Sequence, residues 1–177
     1  TLPATLPTLA EHVARAGITT VGVSANPLVC AATGYARGFE TFRELAWEPR
    51  RGQMASAADV NAAFLAWLAR NRGLRFFAYL HYMDPHDPYA PPPAFRPVPP
   101  PGLRPAVAAG EIFALARQID FRGGPPLPAD EVAYLRALYD AEVQSWDAAL
   151  ATLLGRLAAL GVAESTVVIV TADHGEE

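Results

Sequence analysis

The chain reads as an α/β protein, a mostly parallel sheet covered by helices on both faces, and three observations carry that reading. Strand patterns alternate with helical patterns along the 177 residues, the arrangement that builds parallel sheets from strand-helix-strand units. The last apolar run, Val167-Val168-Ile169-Val170, is unbroken and β-branched, the composition of a strand buried on both faces. The two densest polar clusters, around His86 and around Asp173, each follow a strand pattern directly, where open α/β sheets place their ligands.

Each element has its own justification. A helix opens in Thr5-Leu6-Pro7-Thr8-Leu9, presents Leu9, Val13 and Ala16, and ends at Gly17. Ile18 to Ala25 follows as a strand. Ser56 is the N-cap of a second helix whose apolar face is Val60, Phe64, Trp67 and Leu68, closing near Gly73. Arg75 to Tyr82 is an aromatic-rich strand. From Met83 to Pro105, ten of twenty-three residues are proline, too many for helix or central strand, so a long stiff loop lies over the carboxyl end of that strand. Ala106 to Ile119 is expected to be helical, Gly123-Gly124-Pro125-Pro126 to turn, and Ala129 to Leu160 to form one long helix. Its stripe is Val132, Leu135, Tyr139, Val143, Trp146, Leu150, Leu153 and Leu157, with Tyr139 and Trp146 buried against the sheet. Gly161 ends it, and the last strand starts at Thr166.

Composition narrows the functional classes. With 18 acidic against 14 basic side chains the formal charge is −4, and the arginines are scattered, the sharpest pair being Arg50-Arg51 in a Pro/Gly-flanked turn. Nucleic acid is therefore not an expected partner. No stretch has the apolar length of a membrane span, and a single cysteine, Cys30, excludes an internal disulfide. No glycine-rich phosphate fingerprint is present. Thr1 leads straight into a helix pattern and Glu177 stops inside a polar loop, so the expectation is a section of a longer protein, of unknown localisation.

The polar clusters carry the chemistry. Asp173 offers a hard oxygen, His174 a neutral nitrogen, and Gly175 a sharp backbone turn, a pattern that reads either as a metal site or as a strand-to-loop turn of solvated side chains. In His81-Tyr82-Met83-Asp84-Pro85-His86-Asp87-Pro88-Tyr89 the prolines bias Asp84 and Asp87 towards extended backbone and set His86 on a stiff frame. A histidine so held is suited to donate to an anionic substrate oxygen or to protonate a leaving group. His81 lies inside the strand pattern and reads as a core or supporting histidine.

These segments together resemble the sulfatase family of the alkaline-phosphatase-like superfamily, and the likeness runs in order along the chain. It is carried by Leu6-Pro7-Thr8-Leu9-Ala10-Glu11 with Ala16-Gly17-Ile18-Thr19-Thr20, by Gly38-Phe39-Glu40-Thr41-Phe42, and by Tyr79 through Tyr89 with its Asp84-Pro85-His86. Tyr139 through Asp147 and Thr166 through Glu176 complete it. The resemblance implies a partial alkaline-phosphatase-like core, part of a single catalytic domain over 1–177 with residues 83–105 as its active-site loop. It also implies a divalent ion, calcium foremost with magnesium or manganese as alternatives, held in part by Asp173 and His174, and a catalytic role for His86. The implied substrate is a small-molecule or saccharide sulfate ester.

The family nucleophile is a formylglycine made from Cys or Ser in a Cys/Ser-x-Pro/Ala-x-Arg motif. Cys30 is followed by Ala31-Ala32-Thr33-Gly34 and lacks the arginine, so the nucleophile is expected upstream of Thr1. The family's Lys-x-x-His segment is replaced by Ser24-Ala25-Asn26-Pro27. A phosphodiester or phosphonate hydrolase or a phosphoglycerol transferase of the same superfamily is the alternative reading, and a non-catalytic domain of the same fold is the third.

Overall fold

A computed structural model describes residues 1–45, 54–121 and 124–175. The Arg50-Arg51 turn, Gly123 of the glycine-proline turn, and Glu176 lie outside the described residues. The described chain divides into two compact units, Thr1–Met83 with Ala149–Thr171 and Asp84–Ala148 with Ala172–Glu177.

The first unit is built on a parallel three-stranded sheet in the order β2-β1-β3, formed by β1 (Thr19–Ser24), β2 (Thr41–Glu44) and β3 (Phe76–His81). All ladders are parallel, Val21 standing opposite Thr41 on one side and Ala78 on the other. The fold is thus α/β, as its alternating pattern requires. α1 (Leu9–Arg15) begins at a reciprocal cap, in which the Thr8 hydroxyl accepts from the Glu11 amide and the Glu11 carboxylate accepts from the Thr8 amide at 2.7 Å. Its buried residue is Ala10, whereas Leu9 and Ala16 are exposed. That corrects the expected face, because a helix of seven residues takes its orientation from what it packs on rather than from its own weak periodicity. Gly38 explains part of that packing: a Cβ there would overlap the backbone of Ala10 and Glu11.

α2 (Ala57–Asn71) matches its sequence signals closely. Ser56 caps it reciprocally with Asp59, and Val60, Phe64, Trp67 and Leu68 are buried. They meet Val21 and Val23 of β1, alternate residues Phe76, Ala78 and Leu80 of β3, and Leu153 and Leu157 of α5 (Ala129–Ala159) in one apolar cluster. The other face of the sheet carries aromatics instead, with Phe39 packed on Phe42, Phe77 and Tyr79 at centroid distances of 5.4 to 6.3 Å. Gly22 fits beneath Phe42, where a side chain would collide with the ring. Asn61, buried in α2, accepts from the Tyr82 hydroxyl at 2.7 Å and donates to the Ala149 carbonyl at 2.9 Å, tying α5 to the end of β3.

Residues Thr166 to Thr171 are a correction. They form no strand among the described residues, and Val167 and Ile169 are 86 % and 83 % exposed. A β-branched run specifies extended backbone, but a strand exists only where a neighbour completes its hydrogen-bond ladder, and β1, β2 and β3 do not pair with it.

The second unit is helical. The expected helix from Ala106 to Ile119 is instead α3 (Pro105–Ala108), α4 (Ile112–Ala116) and a π-helical turn, Arg117–Phe121. The break falls at Gly110, whose φ is +72° and whose missing Cβ makes room for the Tyr89 carbonyl. Within this unit α5 contributes Tyr134, Leu135 and Leu138, which bury against Tyr89, Val107 and Leu115. The expected stripe is therefore shifted in the first half of the helix: Val143 is exposed, and Tyr139 and Trp146 are half-buried. Tyr139 packs edge-on to Tyr89 of the proline-rich loop rather than on the sheet. Arg104 closes this unit by a forked ion pair to the buried Glu131, with its Nη2 2.6 Å from Oε2 and its backbone amide donating to Oε1 at 3.0 Å. The Arg104 bonds hold the Glu131 carboxyl below its ordinary pKa.

Candidate functional site

His86 sits five residues beyond β3, in the proline-rich loop of the second unit. Its Nδ1 lies 2.7 Å from the carbonyl oxygen of Asp87. A carbonyl only accepts, so Nδ1 is the protonated nitrogen and Nε2 is left as the one that meets other groups. The imidazole also packs edge-on to the Phe113 ring, centroids 5.7 Å apart.

The loop is fastened directly after this histidine. The Asp87 carboxylate accepts from the backbone amides of Ile112 and Phe113 at the start of α4. Tyr89 donates its amide to the Gly110 carbonyl at 3.0 Å. Ala90 donates its amide to Glu142 Oε1 at 2.8 Å. Glu142 is a buried carboxylate on α5 whose pKa is pushed up to about 7, first by burial and then by the nearby Asp84 charge, against the opposing pull of the Ala90 amide and Arg96.

Neither Glu142 nor Phe113 was marked as functional by the residue patterns. The available signal for Glu142 was its spacing from Leu135 and Leu138, three and then four residues, which puts it on their buried face. Phe113 had none, since its partner lies 27 residues earlier. His81 closes β3 half-buried, its ring 6.1 Å from that of Tyr79.

Asp173 and His174 belong to the same unit as His86. Both are well exposed, at 85 % and 68 % of the side chain. His174 Nδ1 lies 2.7 Å from the Gly175 carbonyl, which fixes Nδ1 as donor, and its Nε2 lies 3.9 Å from Asp173 Oδ2. One hard oxygen and one imidazole nitrogen on adjacent residues suit a divalent cation. They are a partial set, for among the described residues no group of three or more His, Cys, Asp or Glu side chains is arranged to hold a metal. Cys30 is engaged locally, its Sγ 3.4 Å from Thr33 Oγ1 beside a short 3₁₀ turn, Ala31–Thr33.

The chain matches the family model described as Sulfatase over residues 1–177, its whole length. The chain belongs to the sulfatase family. Among individually curated proteins, none matches it. Membership makes it a sulfatase-like hydrolase in general terms. No helix of the described residues is long and apolar enough to cross a membrane.

Proposed function

We propose that the chain forms part of a metal-dependent sulfuric ester hydrolase acting on a small-molecule or saccharide sulfate, with His86 as catalytic acid and Asp173 and His174 as metal ligands. The observation that supports it most is the sulfatase match along the whole chain, which spans both polar clusters.

Within that reading the residues divide the work. With Nδ1 committed to the Asp87 carbonyl, protonated His86 presents a single free donor, Nε2–H, to the oxygen on which charge develops as the ester bond breaks. The Phe113 ring packs against the same imidazole. Asp173 Oδ2 and His174 Nε2 are the atoms assigned to the divalent ion, calcium foremost. When bound, such an ion neutralises charge on the sulfate oxygens and polarises the ester. Cys30 is not the nucleophile in this scheme, since its thiol faces Thr33 and no arginine follows in the required position.

The test uses the intact protein with an aryl sulfate, an aryl phosphate and a phosphodiester as parallel substrates. The expected result is sulfate ester turnover that chelation abolishes, that Asp173→Ala removes, and that His86→Ala lowers by about two to four orders of magnitude. Turnover of phosphodiesters without any sulfate ester would move the assignment to a phosphoryl-handling member of the superfamily. Full activity of His86→Ala would take that residue out of the mechanism.

A further inference from the structure

Between Asp87 and Tyr89 the proline-rich loop is fastened to the segment that carries one ring, Phe113. Within the second unit, Asp87 and Tyr89 of the loop meet the α3–α4 segment. Tyr89 donates its amide to Gly110, the Asp87 carboxylate spans the Ile112 and Phe113 amides, and the Tyr89 carbonyl occupies the space left by the missing Gly110 side chain. The residue delivered by this arrangement is Phe113. It is 58 % exposed, so its packing in the apolar core is not what keeps it there, and the ring it contacts is His86.

We propose that Asp87 and Phe113 are the positioning residues of the His86 imidazole: the Asp87 side chain locks the first turn of α4 to the loop, which holds the Phe113 ring against the imidazole and keeps His86 in one orientation and one tautomer. Asp87 acts twice. Its backbone carbonyl takes the Nδ1 proton at 2.7 Å, and its carboxylate fixes where that carbonyl stands. The carboxylate's charge suits the place, since it meets backbone N–H groups in the first turn of a helix, where intrahelical acceptors are lacking; the Ile112 amide is shared with the Gly110 carbonyl at 3.1 Å. A second consequence is directional. With Nδ1 satisfied and Phe113 against the ring, Nε2 is the ring nitrogen left to meet a substrate. This deepens, and rests on, the reading of His86 as the catalytic acid.

The experiment reads the imidazole directly and needs no turnover. In isotope-labelled protein at mildly alkaline pH, long-range proton–nitrogen correlation distinguishes a protonated Nδ1 from a protonated Nε2, with His86 assigned by loss of its signals in His86→Asn. Wild type is expected to show the Nδ1-protonated tautomer with ring protons shifted by the Phe113 ring current. Asp87→Ala should mix the tautomers and reduce that ring-current shift by roughly half or more, because the Asp87 carbonyl remains but loses its fixed place. Asp87→Asn, which keeps an acceptor oxygen, should restore much of the wild-type pattern. If Asp87→Ala does not fold, Phe113→Leu decides. That exposed position tolerates the change, the ring-current shift should vanish and the tautomers should mix. A wild-type tautomer pattern in folded Phe113→Leu overturns the proposal, as does one in folded Asp87→Ala. In the active intact protein, Phe113→Leu should lower kcat for an alkyl sulfate more than for a nitrophenyl sulfate, whose leaving group needs no proton, with KM little changed. If the imidazole responds as expected while His86→Ala keeps full activity, the positioning stands and it is the catalytic reading of His86 that fails.

Discussion

Glu142 gives the second unit an unusual pH dependence that can be worked through from its surroundings. The carboxyl is 6 % exposed and faces the Ala90 amide, the Asp84 carboxylate and Arg96. Burial and the Asp84 charge outweigh the two favourable neighbours, and the pKa rises from 4.5 to about 7. A raised carboxyl pKa means that the folded state holds a proton the unfolded state has released. The stabilisation is therefore complete below the unfolded value of 4.5 and is lost as pH climbs through about 7. At about 1.4 kcal/mol per unit, the difference between pH 4.5 and 8 is of the order of 3 kcal/mol, a large share of the ordinary stability of a domain.

Glu142→Gln isolates this contribution, because the amide keeps an oxygen for the Ala90 N–H and carries no charge at any pH. The assay is urea unfolding of wild type and Glu142→Gln at steps of pH from 4.5 to 8, read on the difference between them so that other titrating groups cancel. The two proteins should be close in stability at the acid end, and Glu142→Gln should gain by up to about 3 kcal/mol at the alkaline end. A difference that stays flat across the range, or one that grows towards acid, would refute the burial argument.

Three further outcomes are expected. Leu68→Ala removes a fully buried side chain between α2 and the sheet and should cost about 2–5 kcal/mol in urea unfolding monitored by tryptophan fluorescence. Ser56→Ala removes the hydroxyl half of the α2 cap and leaves the backbone amide of residue 56 on the Asp59 carboxylate; it should cost about 1 kcal/mol, with Ser56→Asp restoring most of it. Gly110→Ala places a Cβ against the Tyr89 carbonyl at a positive φ and should loosen the loop, seen as faster hydrogen exchange at the Tyr89 and Ala90 amides while the amides of β1 keep their protection.

Local chemistry was readable in the amino-acid order, and long-range pairing was not. The α2 cap, its apolar face and the stops near Arg15 and Gly161 follow from contacts three or four residues apart, so composition alone locates them. The strand character of Thr19–Ser24 and Phe76–His81 was equally local, as were the family motifs around His86 and Asp173. β2 escaped notice because four residues, two of them exposed, leave no alternation to detect. The helix expected over Ala106 to Ile119 broke where Gly110 yields to Tyr89, a neighbour 21 residues away in sequence. The apolar run at Val167 to Val170 shows the limit most plainly: its residues specify an extended backbone, but a ladder needs a second strand, and only tertiary structure supplies or withholds one. The same holds at the candidate site. The sequence places His86 in a stiff loop and Asp173 beside His174, and the carbonyl that takes each Nδ1 belongs to the next residue, while which ring lies against His86 was decided by a helix turn that only the folded chain brings into reach.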